Sequence, residues 1–236
     1  MKNLAKLFGL TVLAVVIGLS MTACSTDGGD DGTPVSSAPL GPTLNLRGQV
    51  YTMDDDDYSV TYAPFGGSLS FSSGSLGGSG SVTSGQLDFT IGTPSTLISL
   101  AELKGWLEDE GFSNIQISPA DALCAEFSTL EITGSNQYSY LERMNSTMTS
   151  RASTQEYVFY IYVDKDATVT ATGTSSSETY PGFTLTFTTS NINMSLKKGW
   201  NAMHQKIVGT GTQSKISYNT SMSAANPSHL RWVLIQ

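Results

Sequence analysis

The sequence predicts a mainly β protein: an antiparallel β-sandwich, with a barrel as the second choice, carrying one short amphipathic helix near residues 99–110. Three observations predict it. From Leu44 onward, apolar residues recur at every second position in short runs, the period of a strand with one buried face. The runs return at intervals of about eight to twelve residues between Gly, Pro, Ser and Asp clusters, a rhythm of hairpins and not of βαβ units. Only residues 99–110 combine helical spacing with a start and a stop signal.

Taken in order, Leu44, Leu46, Val50 and Thr52 alternate with Asn45, Arg47, Gln49 and Tyr51 to give the first strand. Asp54, Asp55, Asp56 and Asp57 then read as an acidic turn, and Tyr58, Val60 and Tyr62 resume the alternation. Four adjacent carboxylates raise the question of Ca²⁺, which takes about six to eight oxygen ligands. Successive side chains of an extended chain point to opposite faces, so only two would converge, and no metal site is assigned. Pro64-Phe65-Gly66-Gly67 is a turn, and Leu69 with Phe71 marks a short strand. Residues 72–85, rich in Ser and Gly, read as a flexible loop with no phosphate-binding glycine pattern and no nucleophile elbow. Leu87, Phe89 and Ile91 form a strand that Gly92-Thr93-Pro94 stops.

In the helix, Ser99 is the expected N-cap, with Glu102 reaching back in a capping box. Leu100, Leu103, Trp106 and Leu107 share one face, and Gly111 is the expected residue just past the end. Glu108, Asp109 and Glu110 oppose the dipole there, so this helix depends on packing, and Trp106 is expected in the core. Ile115 and Ile117 suggest an edge strand. Residues 122–133 read as one strand whose apolar phase changes at Leu130, as at a bulge. Residues 134–154 are polar and weakly patterned: either a plain connection or, with Tyr138, Tyr140, Met144 and Met148, the first candidate recognition surface.

Residues 157–163 are apolar or aromatic on both faces, the mark of a central strand covered on both sides. Asp164-Lys165-Asp166 reads as a hairpin turn leading to a return strand at 168–172. Phe183, Leu185 and Phe187, then Ile192, Met194 and Leu196, set two more strands. After the turn at 197–201, Met203, Gln205 and Ile207 continue, followed by Ile216 with Tyr218 and finally by Leu230, Trp232 and Leu234.

The first residues are of a different kind. Lys2 and Lys6 precede an apolar run at 7–19, which is shorter than the roughly twenty residues a spanning helix needs. The ending Leu19-Ser20-Met21-Thr22-Ala23-Cys24 resembles the lipobox of bacterial lipoproteins, with Met21 where Leu is commoner. The resemblance implies cleavage before Cys24 and a lipid, palmitate among its acyl chains, on that cysteine. Residues 1–23 are then a signal peptide and 24–43 a Gly-, Pro-, Ser- and Asp-rich tether. Residues 44–236 form a single β-rich domain, with 134–154 the place where it would divide. Asp27, Asp30 and Asp31 in the tether lack the ligand spacing of an EF-hand.

Two longer stretches, residues 85–94 and Leu196-Lys197-Lys198-Gly199-Trp200-Asn201-Ala202-Met203, resemble a loosely defined group of uncharacterised bacterial surface lipoproteins, spirochaete-type in particular. That resemblance implies a β-rich, lipid-tethered domain in the cell envelope, on the outer membrane, at the surface or on the periplasmic face. It implies no catalytic residue. Gly199 is expected in the turn, Trp200 over the sheet and Asn201 on local backbone.

Composition narrows the function classes. Loss of Lys2 and Lys6 with the signal takes the formal charge from −8 to −10, which disfavours nucleic acid as a partner and leaves the lipid as the membrane contact. With Cys24 lipidated, Cys124 has no partner and reads as a buried structural thiol. The two histidines, His204 and His229, belong to no catalytic or zinc motif, so no cofactor, metal or catalytic residue is assigned and the chain is read as a non-enzyme. The expectation is a binding or adhesion module for glycan, peptide or matrix. The alternatives are a structural coat lipoprotein and, more remotely, a glycan-acting hydrolase with dispersed carboxylates. Exposed aromatics would favour the binding module and wholly buried ones the coat. Replacement Cys24→Ser is expected to move the protein from the membrane to the soluble fraction, read by fractionation; unchanged partitioning would refute the anchor.

Overall fold

The computed structural model describes residues 39–56, 59–72, 76, 78–127, 130–133, 135, 137–212 and 214–235. Residues 1–23, read above as a signal peptide, and Cys24 lie outside them, as do Asp27, Asp30 and Asp31 of the expected tether, Asp57, Tyr58 and the side chains of Asp55 and Asp56. The protein is mainly β, as the alternation predicts.

Five strands open the fold: β1 (Leu44–Asp56), β2 (Ser59–Pro64), β3 (Leu69–Ser72), β4 (Ser79–Thr83) and β5 (Gln86–Ile91). A short β6 (Ile98–Ser99) leads through a 3₁₀ turn at Leu100–Glu102 into α1 (Leu103–Asp109). Then come β7 (Phe112–Ser118), β8 (Leu123–Phe127), β9 (Leu130–Thr133), β10 (Tyr140–Met148), β11 (Ala152–Val163) and β12 (Ala167–Gly173). The remaining strands are β13 (Ser175–Tyr180), β14 (Phe183–Thr189), β15 (Ile192–Leu196), β16 (Gly199–Gly211), β17 (Lys215–Ser223) and β18 (Arg231–Ile235).

Seven of these strands close a barrel in the order β10-β18-β1-β5-β4-β3-β9, with β9 returning to β10. An odd ring cannot alternate direction throughout, so one neighbouring pair must run parallel. That pair is β1 with β18, in register Val50↔Trp232. From β10 the sheet continues outward through β11, β16, β17 and β14 to β13. A separate three-stranded sheet, β15-β12-β7, forms a second layer with α1.

Two cores result, and β11 divides them. Val158, Tyr160 and Tyr162 point into the barrel-side core with Trp200, Trp232, Phe89 and Leu141. Phe159, Ile161 and Val163 point into the other, against Leu103, Leu107, Val169 and Met194. This is why 157–163 is apolar on both faces. Each fully buried Leu or Ile contributes roughly 1.5–3 kcal/mol. Trp106, expected in the core, is partly buried and packs against its margin, meeting Phe159 edge-on at 5.5 Å. Ser99 accepts from the Ala101 N–H at 3.2 Å, and Gly111 ends the helix at φ +87. Asn201 is wholly buried and bonds local backbone, accepting from Lys197 N–H at 2.8 Å and donating to Lys197 and Gly199 carbonyls.

Several expectations are corrected. The body begins before Leu44, because Leu40 N–H donates to the Trp200 carbonyl at 2.9 Å and Gly41 returns the bond. β1 runs on through Asp56, where a turn starting at Asp54 was expected. Within the expected Ser/Gly loop at 72–85 lies β4, whose Gly80 fits tightly against the Asp88 carbonyl and Phe89. The phase change at Leu130 marks a change of strand and not a bulge: β8 pairs with β11, whereas β9 pairs with β3 and β10. Residues 134–154 are no loop, since β10 occupies their middle; Tyr138 packs on Phe65 at 6.0 Å. The turn at Asp164 makes no hairpin. Asp164 accepts from Leu123 N–H at 2.8 Å while β12 leaves for the second sheet, placing Ala167, Val169 and Ala171 in its core.

Gly85 joins β4 to β5 at φ +77, and a Cβ there would overlap the Phe65 carbonyl. Gly85→Ala is expected to destabilise the fold by more than about 2 kcal/mol, with Thr83→Ala on the exposed face within about 0.5 kcal/mol of wild type, measured by denaturant unfolding.

Candidate functional site

The candidate site follows from the parallel closure. A strand residue directs its N–H and C=O to the same side. Val50 uses both toward Gly85 and Phe65, so even-numbered residues of β1 face β5 and β2. Arg47 accepts from Trp232 Nε1 at 3.3 Å, so odd-numbered residues face the other way. On that side β18 begins its pairing only at Val50. The backbone of Asn45 and Arg47 therefore borders a gap, which β5 closes on the opposite side alone.

That gap is a pocket of about 410 Å³, bounded by β1, the β17–β18 connection, the start of β18, Arg143 of β10 and Tyr160 of β11. Gly48 forms part of its wall at φ +143, and the Trp232 ring lies against it: a Cβ on Gly48 would stand 3.5 Å from Trp232 Cδ1. Tyr160 and Trp232 stack at 6.4 Å.

Arg143 is the central polar group. Its Nη1 donates to Tyr160 Oη at 2.9 Å and to Asn226 Oδ1 at 2.6 Å, and its Nη2 donates to the Pro227 carbonyl at 2.9 Å. Its carbon lies 6.0 Å from the Trp232 ring centre. All three acceptors are neutral. Arg231 follows the same pattern, donating to Asn145 Oδ1 at 2.6 Å and lying over Tyr62 and Tyr51 at 4.7 and 5.7 Å. Neither arginine joins an ion pair among the described residues. The pocket lining includes Arg47, Arg143, Arg231 and His229 and no Asp or Glu, in a chain of net charge −8. Arg47 meets Asp88 at 3.3 Å, but both side chains are about two-thirds exposed or more, which makes the pair weak.

Behind the pocket, the structure brings both histidines onto one carboxylate. Buried Glu156 of β11 lies 3.0 Å from His229 Nε2 and 3.2 Å from His204 Nε2, the second contact lacking hydrogen-bond alignment. Burial holds the His204 imidazole below its usual pKa, with Glu156 pulling the other way. No hydroxyl or thiol bonds either imidazole among the described residues. Sequence reading missed Glu156 and Arg143 because neither belongs to a local motif.

Of the other residues singled out, Cys124 is a free, buried thiol whose pKa burial pushes up to about 11, an inert setting. Asp166 accepts from Lys197 Nζ and Lys198 N–H, a turn role. No cluster of three or more His, Cys, Asp or Glu suited to a metal occurs among the described residues.

A second surface carries aromatics. The face of β17 that buries Met222 in the second core continues outward as Tyr218. There Tyr218 stacks on Phe187 at 5.6 Å, and Phe183 stacks on exposed Tyr180 at 5.1 Å. None of these four rings belongs to either core. Compared with protein-family models, with curated proteins and with solved structures, the chain matches none.

On β10, burial lifts the Glu142 carboxyl to about 7, and burial also raises the neighbouring Tyr157 and Tyr140 hydroxyls, with the Glu142 charge adding to it. A carboxyl with a raised folded pKa binds more protons folded than unfolded, so it lowers stability as pH rises from 4.5 to about 7. Glu142→Gln is expected to raise the melting temperature at pH 8 by on the order of 5 °C and to leave it unchanged at pH 4, read by calorimetry.

Proposed function

We propose that this protein is a lipid-anchored component of a bacterial cell envelope whose β domain is a non-enzymatic binding module for glycan, peptide or matrix. The lipobox-like ending at Cys24 and the Gly/Pro/Ser tether support the placement. The observation that carries the binding role is the gap beside β1: a preformed pocket lined by Arg143 and Arg231, neither of which joins an ion pair among the described residues, and edged by the rims of Tyr51, Tyr160 and Trp232. A purely structural coat needs no such pocket, and it gains nothing from partly exposed ring stacks on β13, β14 and β17.

The hydrolase alternative draws no support from the histidines. Both present Nε2 to Glu156, whereas nucleophilic catalysis needs an imidazole nitrogen on a hydroxyl or thiol. The acidic chain also favours a ligand met through this local patch over a polyanion spread across the surface.

Arrays of glycans and of matrix peptides, probed with the full-length protein in detergent, test this reading. Saturable binding to one class, without turnover, is the expected result. Silence across both arrays from folded protein would favour the coat, and release of product from any glycan would overturn the non-enzymatic role.

A further inference from the structure

We infer that the pocket beside β1 holds the carboxylate of an acidic sugar, of hexuronate or sialate type, on the free edge of the Arg143 guanidinium; this rests on the binding-module reading. A guanidinium has five N–H donors in a fixed plane. Both hydrogens of Nη1 are spent, on Tyr160 and Asn226, and one of Nη2 is spent on Pro227. What remains is the Nε–H and one Nη2–H, two donors on adjacent nitrogens with no partner among the described residues. With Asn226 on Nη1 and its chain neighbour Pro227 on Nη2, these two acceptors meet the Nη1–Nη2 edge, and the Nε–Nη2 edge is the parallel fork offered to a planar carboxylate. The three occupied donors hold the fork in place, so little side-chain entropy is lost when a ligand enters.

The rest of the pocket suits a sugar. Asn45 spends its Oδ1 on Thr90, and Asn226 spends its Oδ1 on Arg143, which leaves both Nδ2 groups for hydroxyls. Ser228 lies on the same wall, and the edge of the buried Trp232 ring borders the pocket. A volume of about 410 Å³ is of small-ligand size. An added peptide strand fits less well: only Asn45 and Arg47 turn their backbone to the gap, and the Arg47 carbonyl is already taken. The absence of any acid in the lining lets a single negative charge settle there although the whole chain is acidic.

Titration calorimetry on the full-length protein in detergent tests this, with glucuronate and N-acetylneuraminate as acids, glucuronamide as the uncharged match, and acetyl-Gly-Gly as a peptide carboxylate. At least one acidic sugar is expected to bind ten or more times more tightly than glucuronamide, to weaken with added salt, and to lose about tenfold in Arg143→Lys, which keeps the charge and breaks the fork. The acid–amide comparison needs no substitution and so decides the matter even where Arg143→Lys disturbs folding. Equal binding of acid and amide, preference for the peptide acid, or no binding of either acidic sugar would overturn the inference. Binding of neutral glycans alone would do so while leaving the binding-module reading intact.

Discussion

The parallel pairing of β1 with β18 is the constraint on which the rest of the molecule depends. Seven strands around a ring leave one junction where direction cannot alternate, and here that junction joins residues almost two hundred positions apart in sequence. Val50 opposite Trp232 sets the register, and the Trp232 indole donates back to Arg47. Because the pairing starts only at Val50, the earlier half of β1 has a strand neighbour on one side alone. The pocket is therefore a product of closure: the same pairing that seals the barrel ends early enough to leave an opening.

β11 carries the second burden. It is the wall between two cores, and its alternation of Tyr160 with Phe159 and Ile161 lets one backbone serve both. Polar groups at its outer end are bonded to fixed partners. Glu156 holds the β17–β18 connection through His229, while Tyr160 steadies Arg143. The connection is thus tied at Asn226, Pro227 and His229 to strands that cannot shift without disturbing a core.

What the sequence reveals follows from what burial demands. Residues 87–91, 157–163 and 192–196 were legible because alternate positions enter a core. β13 was not, since all six of its residues are exposed and nothing imposes a pattern. β4 hid behind glycine and serine, with Val82 its single buried apolar residue. β10 hid because Glu142 and Arg143 interrupt its apolar positions. The turn at Asp164 looked like a hairpin because local chemistry cannot tell a return to the same sheet from a step to the next layer. The site was least legible of all. Its parts come from β1, β10, β11, β18 and a connection, and Arg143 meets Asn226 across 83 positions. Composition supplied the aromatics but could not say which rings would stack outside the cores.

The placement of β18 in the chain has a kinetic side. Ribosomes deliver β1 well before β18, so until β18 emerges the barrel lacks the one strand that joins its two margins. Until then β1 and β10 each present an open edge, and closing them demands a loop of most of the domain, an entropically slow event. Arrival of β18, and not the forming of any local hairpin, is thus the moment at which this architecture commits to its shape.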